Sequence, residues 1–116
     1  MTRVERTYTE SEILAQLREL PGWAYREGAI RRTYHTDGWP WTMLVVNAIA
    51  FVCEGAGHHP DLEVSWSSVE VSFHTHSARG ITEKDFEAAV LVERTVLWTP
   101  DPEGALSGPP KPFVRG

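Results

Sequence analysis

Apolar residues at Ile13, Leu14, Leu17 and Leu20 recur at intervals of three and four, the period of a helix that buries one stripe. Thr9-Glu10-Ser11-Glu12 just before them has the form of a capping box, and Pro21-Gly22 ends the run. Trp23 and Tyr25, then Ile30, Arg32 and Tyr34, alternate with their neighbours on either side of Glu27-Gly28, which predicts a β-hairpin. Asp37-Gly38-Trp39-Pro40 predicts a second helix, with proline tolerated in its first turn. From Trp41 to Glu54 this helix is apolar on nearly every side and is expected to be the most buried one. Asn47 and Glu54, nearly two turns apart, share one of its faces.

Gly55-Ala56-Gly57 is expected to break the helix, and His58-His59-Pro60 to follow in a loop. Leu62, Val64 and Trp66 alternate as a strand, Ser67-Ser68 is a turn, and Val69, Val71 and Phe73 form the partner strand. Thr82-Glu83-Lys84-Asp85 is another capped start, with Phe86, Ala89, Val90 and Leu97 as the stripe behind it. The order α-β-β-α-β-β-α predicts an α+β fold, a four-stranded antiparallel sheet with three helices on one face. It occupies residues 1–97. The tail from Trp98 to Gly116 holds five prolines and three glycines, so it can be neither a helix nor a central strand. It either drapes over the domain, anchored by Trp98 and Phe113, or forms a mobile arm.

Composition narrows the partners. A length of 116 residues supports a single core, and a formal charge of −5 disfavours non-specific contact with nucleic acid or anionic membrane. One cysteine, Cys53, excludes an internal disulfide and a thiolate zinc cage, and its place in the apolar helix makes it a core residue. Residues 1–10 lack an apolar leader core, and the apolar run Trp41 to Cys53 is too short to span a bilayer. A cytoplasmic protein is the expectation.

Four of the five histidines lie between positions 58 and 76. Pro60 holds His59 extended, so the neighbouring imidazoles of His58 and His59 point apart and suit different tasks. Imidazole both gives and takes protons near neutral pH, which fits general acid–base work. His74 and His76, two apart on the predicted strand, share a face with Glu70 and Ser72, a pattern that a metal site also shows.

Taken together, Glu54, three residues, His58-His59-Pro60, five residues, Trp66, nine residues, His76, eight residues and Asp85 form a string that resembles the signature of the pterin-4a-carbinolamine dehydratases. The element order extends the likeness over residues 9–97. His74, Trp39, Trp41 and the proline-rich tail depart from the family pattern. The resemblance implies a dehydratase that converts 4a-hydroxytetrahydropterin to quinonoid dihydropterin and water, with no metal and no organic cofactor. It implies His58 and His76 as the acid–base pair, His59 as a substrate-binding residue, Glu54 and Asp85 as groups that orient imidazoles, and Trp66 as an apolar wall. By alternation alone Trp66 and His76 fall on opposite faces, so one of them is expected at a strand end or bulge. The family also implies a homodimer or homotetramer. The alternative reading is a non-catalytic, dehydratase-like binding protein, such as a Rubisco assembly factor linked to carboxysomes or a dimerisation cofactor of a transcription factor.

Overall fold

A computed structural model of the chain describes residues 5–116. The expectation for residues 1–10 therefore falls partly on residues 1–4, outside the described residues. Helix α1 spans Glu10–Leu17 and begins at the predicted capping box: the Thr9 hydroxyl accepts from the Glu12 N–H (3.2 Å), and Glu12 Oε1 accepts from the Thr9 N–H (2.9 Å). Ile13 and Leu17 are buried, as is Leu20 in the turn beyond, whereas Leu14 stands off that line and is half exposed.

Strands β1 (Ala24–Arg26), β2 (Ala29–Thr36), β3 (Asp61–Val64) and β4 (Ser68–Phe73) form an antiparallel sheet in the order β1-β2-β4-β3. Helix α2 (Trp39–Ala56) joins its two hairpins, and α3 (Glu83–Val96) follows β4. Alternation sorts the sheet's faces. Ile30, Tyr34, Val69, Val71 and Phe73 are fully buried beneath the helices, against Ile49 and Cys53 of α2 and Ala89 and Val92 of α3. Each of the large side chains among them contributes about 1.5–3 kcal/mol of burial. The other face carries Arg31, Ser72 and Asp61 side by side across three strands, with Thr33, Glu70 and Glu63 as the next row. Trp23 is buried, but it sits one residue ahead of β1 rather than in the predicted strand.

Two expectations for α2 are corrected. The helix continues through Gly55, at a propensity cost of about 1 kcal/mol, and stops at Gly57, whose left-handed backbone (φ 71°) lets its N–H reach the carbonyls of Cys53 and Glu54. Nor is it the most buried helix. Thr42, Val45, Ile49 and Cys53 face the core, while Trp39, Leu44 and Phe51 are exposed, Phe51 by 81%. A helix in an outer layer touches the sheet along one stripe only, so its second apolar face is left in solvent. Among the described residues α2, at 18 residues longer than the apolar run read from sequence, is the one helix long and apolar enough by length and composition to cross a membrane. In the fold its inner stripe is part of the protein core.

A polar cluster pins α3 to the sheet. The Tyr34 hydroxyl (2.5 Å) and the Trp23 indole N–H (3.2 Å) donate to Glu93 Oε1, and Arg32 reaches both carboxylate oxygens at 3.3 Å. Burial, and then the carboxylate beside it, push the Tyr34 phenol well above its usual range, so it remains a donor.

The tail adds a fifth strand. Val114–Arg115, β5, pairs with Thr36 and His35 along the part of β2 that the short β1 leaves uncovered. Arg115 (2.8 Å) and Lys111 (3.5 Å) grip Asp37, whose carboxyl is held below its ordinary range by the Arg115 hydrogen bond first and Lys111 second. Val114 is the tail residue that packs on the core, with Phe113 half-buried beside it; Trp98 is 65% exposed and lines a cavity with both. The core is otherwise drawn from residues before 98. Deleting residues 98–116 is therefore expected to leave a cooperatively folding domain. Its Tm should fall by about 4–8 °C, the equivalent of about 1 kcal/mol for partial burial of Val114, measured by thermal circular dichroism. Loss of the cooperative transition would show that the tail belongs to the core.

Candidate active site

The end of α2 sets the site. Past the left-handed Gly57, the His58 N–H still reaches the Cys53 carbonyl (3.3 Å), and Pro60 extends the chain into β3. The His58 ring stacks on Phe73 at the end of β4, with centroids 5.9 Å apart and planes 12° from parallel. Its Nε2 lies 2.7 Å from Asp85 Oδ1.

Asp85 is completely buried. Its second oxygen accepts from the Thr75 hydroxyl (2.7 Å) and from the Thr82 N–H (2.9 Å), the latter as the third residue of the α3 capping box. Thr82 Oγ1 accepts from the Lys84 N–H and lies 2.8 Å from Thr75 Oγ1. Since Thr75 donates to Asp85, Thr82 must donate to Thr75, and the hydroxyls line up as a one-way relay of donors ending on the carboxylate. A carboxylate accepts only, so the network assigns a proton to His58 Nε2, and in the neutral ring the lone pair is then on Nδ1.

His59 points elsewhere, as the extended backbone requires. Its Nε2 lies 2.9 Å from Glu54 Oε2, and both side chains are mostly exposed. His76 is not on a strand: β4 stops at Phe73, and His76 opens a short 3₁₀ turn over His76–Ala78. Thr75 anchors that turn through its N–H to the Gly80 carbonyl (3.0 Å). Even so, His74 and His76 meet edge to face, centroids 4.9 Å apart at 72°, and both line a cavity of about 480 Å³ on the open face of the sheet with Glu70, Ser72, Arg31 and Asp61. Arg31 bridges Ser72 (3.1 Å) and Glu70 (3.4 Å), and Arg26 holds the other Glu70 oxygen at 2.9 Å. Among the described residues no three His, Cys, Asp or Glu side chains converge as a metal would need.

The structure thus links His58, Asp85 and Thr75 through hydrogen bonds, and His76 is the next residue after Thr75 but lines the open-face cavity, which His58 does not; His59 and Glu54 form a second pair at the same end of the sheet. It does not bring Trp66 there. Trp66 lies in the bend between β3 and β4, at the opposite end of β4 from His76, with its ring over Gly38 and beside Trp41. A side chain at Gly38 (φ 141°) would come within 3.1 Å of that ring. Both Trp66 and His76 therefore lie beyond strand ends, at opposite ends of the same strand. Cys53 is buried, and its thiol is pushed up to about 11 by burial, as befits an inert core residue.

Sequence reasoning passes over Thr75, Thr82 and Arg31 as site-building residues. Thr82 carries a visible signal, the Thr-x-x-Asp cap, but nothing local shows that the capping carboxylate also serves His58. Arg31 becomes legible only once the β2–β4 register sets it opposite Ser72.

Comparison with known proteins covers the same ground. The profile of the family described as pterin 4 alpha carbinolamine dehydratase matches residues 6–95. A protein of Aquifex aeolicus (strain VF5), provisionally named a pterin-4-alpha-carbinolamine dehydratase, is 42% identical over 91 residues, 78% of this chain and 92% of its own length. A protein of Roseiflexus sp. (strain RS-1) with the same provisional name is 38% identical over 85 residues, 73% of this chain and 91% of its own. The crystal structure of a transcriptional coactivator/pterin dehydratase from Brucella melitensis superposes with a TM-score of 0.73 at 29% identity, over 78% of this chain and 99% of that one. The matched span takes in both capped helices, the whole β1–β4 sheet and the His58–Asp85 unit, and it stops short of the tail. On this evidence the chain belongs to the pterin 4a-carbinolamine dehydratase family.

Proposed function

We propose that this protein dehydrates 4a-hydroxytetrahydropterins by histidine acid–base catalysis. One observation carries the reading: His58 is held at 2.7 Å by a buried carboxylate that also binds Thr75, the residue next to His76. The reaction breaks the bond from C4a to its hydroxyl, removes the proton from the adjacent ring nitrogen and forms a carbon–nitrogen double bond, with water as the second product. It needs one base and one acid, and neither electrons nor a metal change hands. His58 offers the Nδ1 lone pair as base, and Asp85 stabilises the imidazolium that forms. His76, exposed at the rim of the open-face cavity, supplies the proton to the departing hydroxyl. His59, oriented by Glu54, binds substrate.

A second reading rests on α2. Its exposed Leu44 and Phe51, with Trp39 at its start, form an apolar face suited to binding another protein, and the Brucella relative's title names a coactivator as well as a dehydratase. A protein with that role and no dehydratase activity would bind a partner through α2 and be indifferent to changes at His58.

Stopped-flow measurement of carbinolamine dehydration separates the two. His58→Ala and His76→Ala should each lower turnover by about 10²–10⁴-fold, and by less where the spontaneous reaction sets a floor. His59→Ala should raise KM more than it lowers kcat. Chelator treatment should leave the rate unchanged. Equal losses at all three histidines, or abolition by chelator, would contradict the assignment.

Asp85→Asn tests the orienting role. The amide can present N–H to His58 and so favour the tautomer with the lone pair on Nε2, turned away from substrate. Turnover should then fall about as far as in His58→Ala while substrate KM changes little. Unchanged turnover in a folded Asp85→Asn protein would show that Asp85 is only a helix cap.

A further inference from the structure

The turn that carries His76 is poorly held by its own backbone. Inside the bridge from the Thr75 N–H to the Gly80 carbonyl, its other hydrogen bonds run 3.2–3.4 Å, at or past the long end of the usual range. They join the Ala78 and Gly80 N–H groups to Thr75, and the Arg79 N–H to His76. Arg79 closes the turn in the left-handed region (φ 56°), where a residue other than glycine is disfavoured. Thr75 does not cap it, because that hydroxyl is committed to Asp85. Left to these contacts, the turn would hold an acid at His76 only loosely.

Residues 5–8 cross that turn from outside. The Tyr8 N–H donates to the Ile81 carbonyl (2.8 Å), and the Thr7 methyl lies so close over Gly80 that a β-carbon there would meet it at 3.0 Å. Tyr8 packs against Phe86 of α3, ring centroids 5.2 Å apart, and Arg6 ties the segment to Glu12 of α1 (2.9 Å). Glu5 turns both carboxylate oxygens onto neighbours of the site. Its Oε2 accepts from the hydroxyl of Ser77, the residue after His76 (2.8 Å). Its Oε1 accepts from the ammonium of Lys84, the residue before Asp85. The Lys84 hydrogen bond first, and Ser77 second, hold the Glu5 carboxyl below its ordinary range, so it stays an ionised acceptor for both. A positive charge on His58 pulls the same way, which puts Glu5 within electrostatic reach of the proposed base.

We propose that Glu5 is a positioning residue: by joining Ser77 to Lys84, it holds the turn that carries His76 against the helix start that carries Asp85. The effect on rate rests on the dehydratase reading; the clamp itself does not. An exposed ion pair on its own contributes little to stability. Here one carboxylate binds two elements at once, beside the Tyr8–Ile81 hydrogen bond, so its effect falls on where the turn sits rather than on whether the domain folds. The His76 ring stays free to move at the rim while its backbone is fixed. A misplacement of about 1 Å can cost on the order of 10²-fold in rate, so a small shift of the turn is enough to matter.

Glu5→Ala tests the clamp, with folding checked by circular dichroism. Without reference to activity, NMR should show the Ala78, Arg79 and Gly80 amides exchanging severalfold faster than in the parent, while the amides of α2 keep their rates. Unchanged exchange in the turn overturns the proposal, and so does an equal rise throughout the protein. In stopped-flow dehydration kcat should fall by about tenfold and KM stay within about twofold, because the acid is displaced and His59 with Glu54 is not. Ser77→Ala, at an exposed position, should show the same split to a smaller degree, and Ser77→Thr, which keeps the hydroxyl, should restore most of the rate. The double variant Glu5→Ala/Ser77→Ala should be no slower than Glu5→Ala alone, since both changes remove one contact. An unchanged kcat, a loss confined to KM, or losses that multiply in the double variant would overturn the positioning role. A parent inactive towards carbinolamine, with turn exchange still rising in Glu5→Ala, would overturn the dehydratase reading and leave the clamp standing.

Discussion

A buried carboxylate needs its acceptor sites filled, and the geometry of this protein's histidine site follows from how Asp85 meets that need. Its donors come from three places: a helix cap at Thr82, a post-strand hydroxyl at Thr75 and a ring at the end of another helix, His58. Each donor fixes a different element against the others. Removing the carboxylate would strand two buried donors, from Thr75 and Thr82, and the half-buried His58 ring, a far larger loss than any of these hydrogen bonds contributes alone. The same charge that organises the junction of α2, β4 and α3 also decides which His58 nitrogen is free for chemistry.

The division between order and exposure follows from this. His58 is stacked on Phe73 and hydrogen-bonded at one nitrogen, so its ring has little freedom. His76 and His59 sit at the rim, held by an imidazole edge and by an exposed carboxylate respectively, contacts that are weak and yielding. In the proposed dehydration, a rigid base beside more mobile binding and acid groups would suit a flat substrate that must enter, lose water and leave. The Glu93 cluster plays the corresponding part across the sheet, tying α3 to β2 through Tyr34, Arg32 and Trp23, so that the Asp85 end of α3 stands on a helix fixed at both ends.

Much of this was legible in the residues. The two capping boxes announced α1 and α3, alternation announced the hairpins, and the spaced string from Glu54 to Asp85 pointed to the family. What escaped was of two kinds. Boundaries moved where tertiary contacts overrode local signals: α2 ran through Gly55 because Gly57 supplied the left-handed stop, and β4 ended before His76 because Thr75 was drawn back to Gly80. The apolar composition of α2 could not show that half of it faces solvent, since composition records how much is apolar and not which layer covers it. The string implies Trp66 as an apolar wall of the histidine site because it shares their spacing. Only the sheet, which sets it at the far end of β4, shows that adjacency in the string is not adjacency in the chain's own fold.

The claim that Asp85 fixes His58 in one tautomer is the centre of this account, and nitrogen-15 NMR of the histidine side chains reads it directly. At neutral pH the His58 Nε2 should show the shift of a protonated, hydrogen-bonded nitrogen, and Nδ1 the shift of a bare lone-pair nitrogen. Asp85→Asn should exchange the two. A parent spectrum with the proton on Nδ1, or with both tautomers averaging freely, would contradict the assignment from which the proposed chemistry is built.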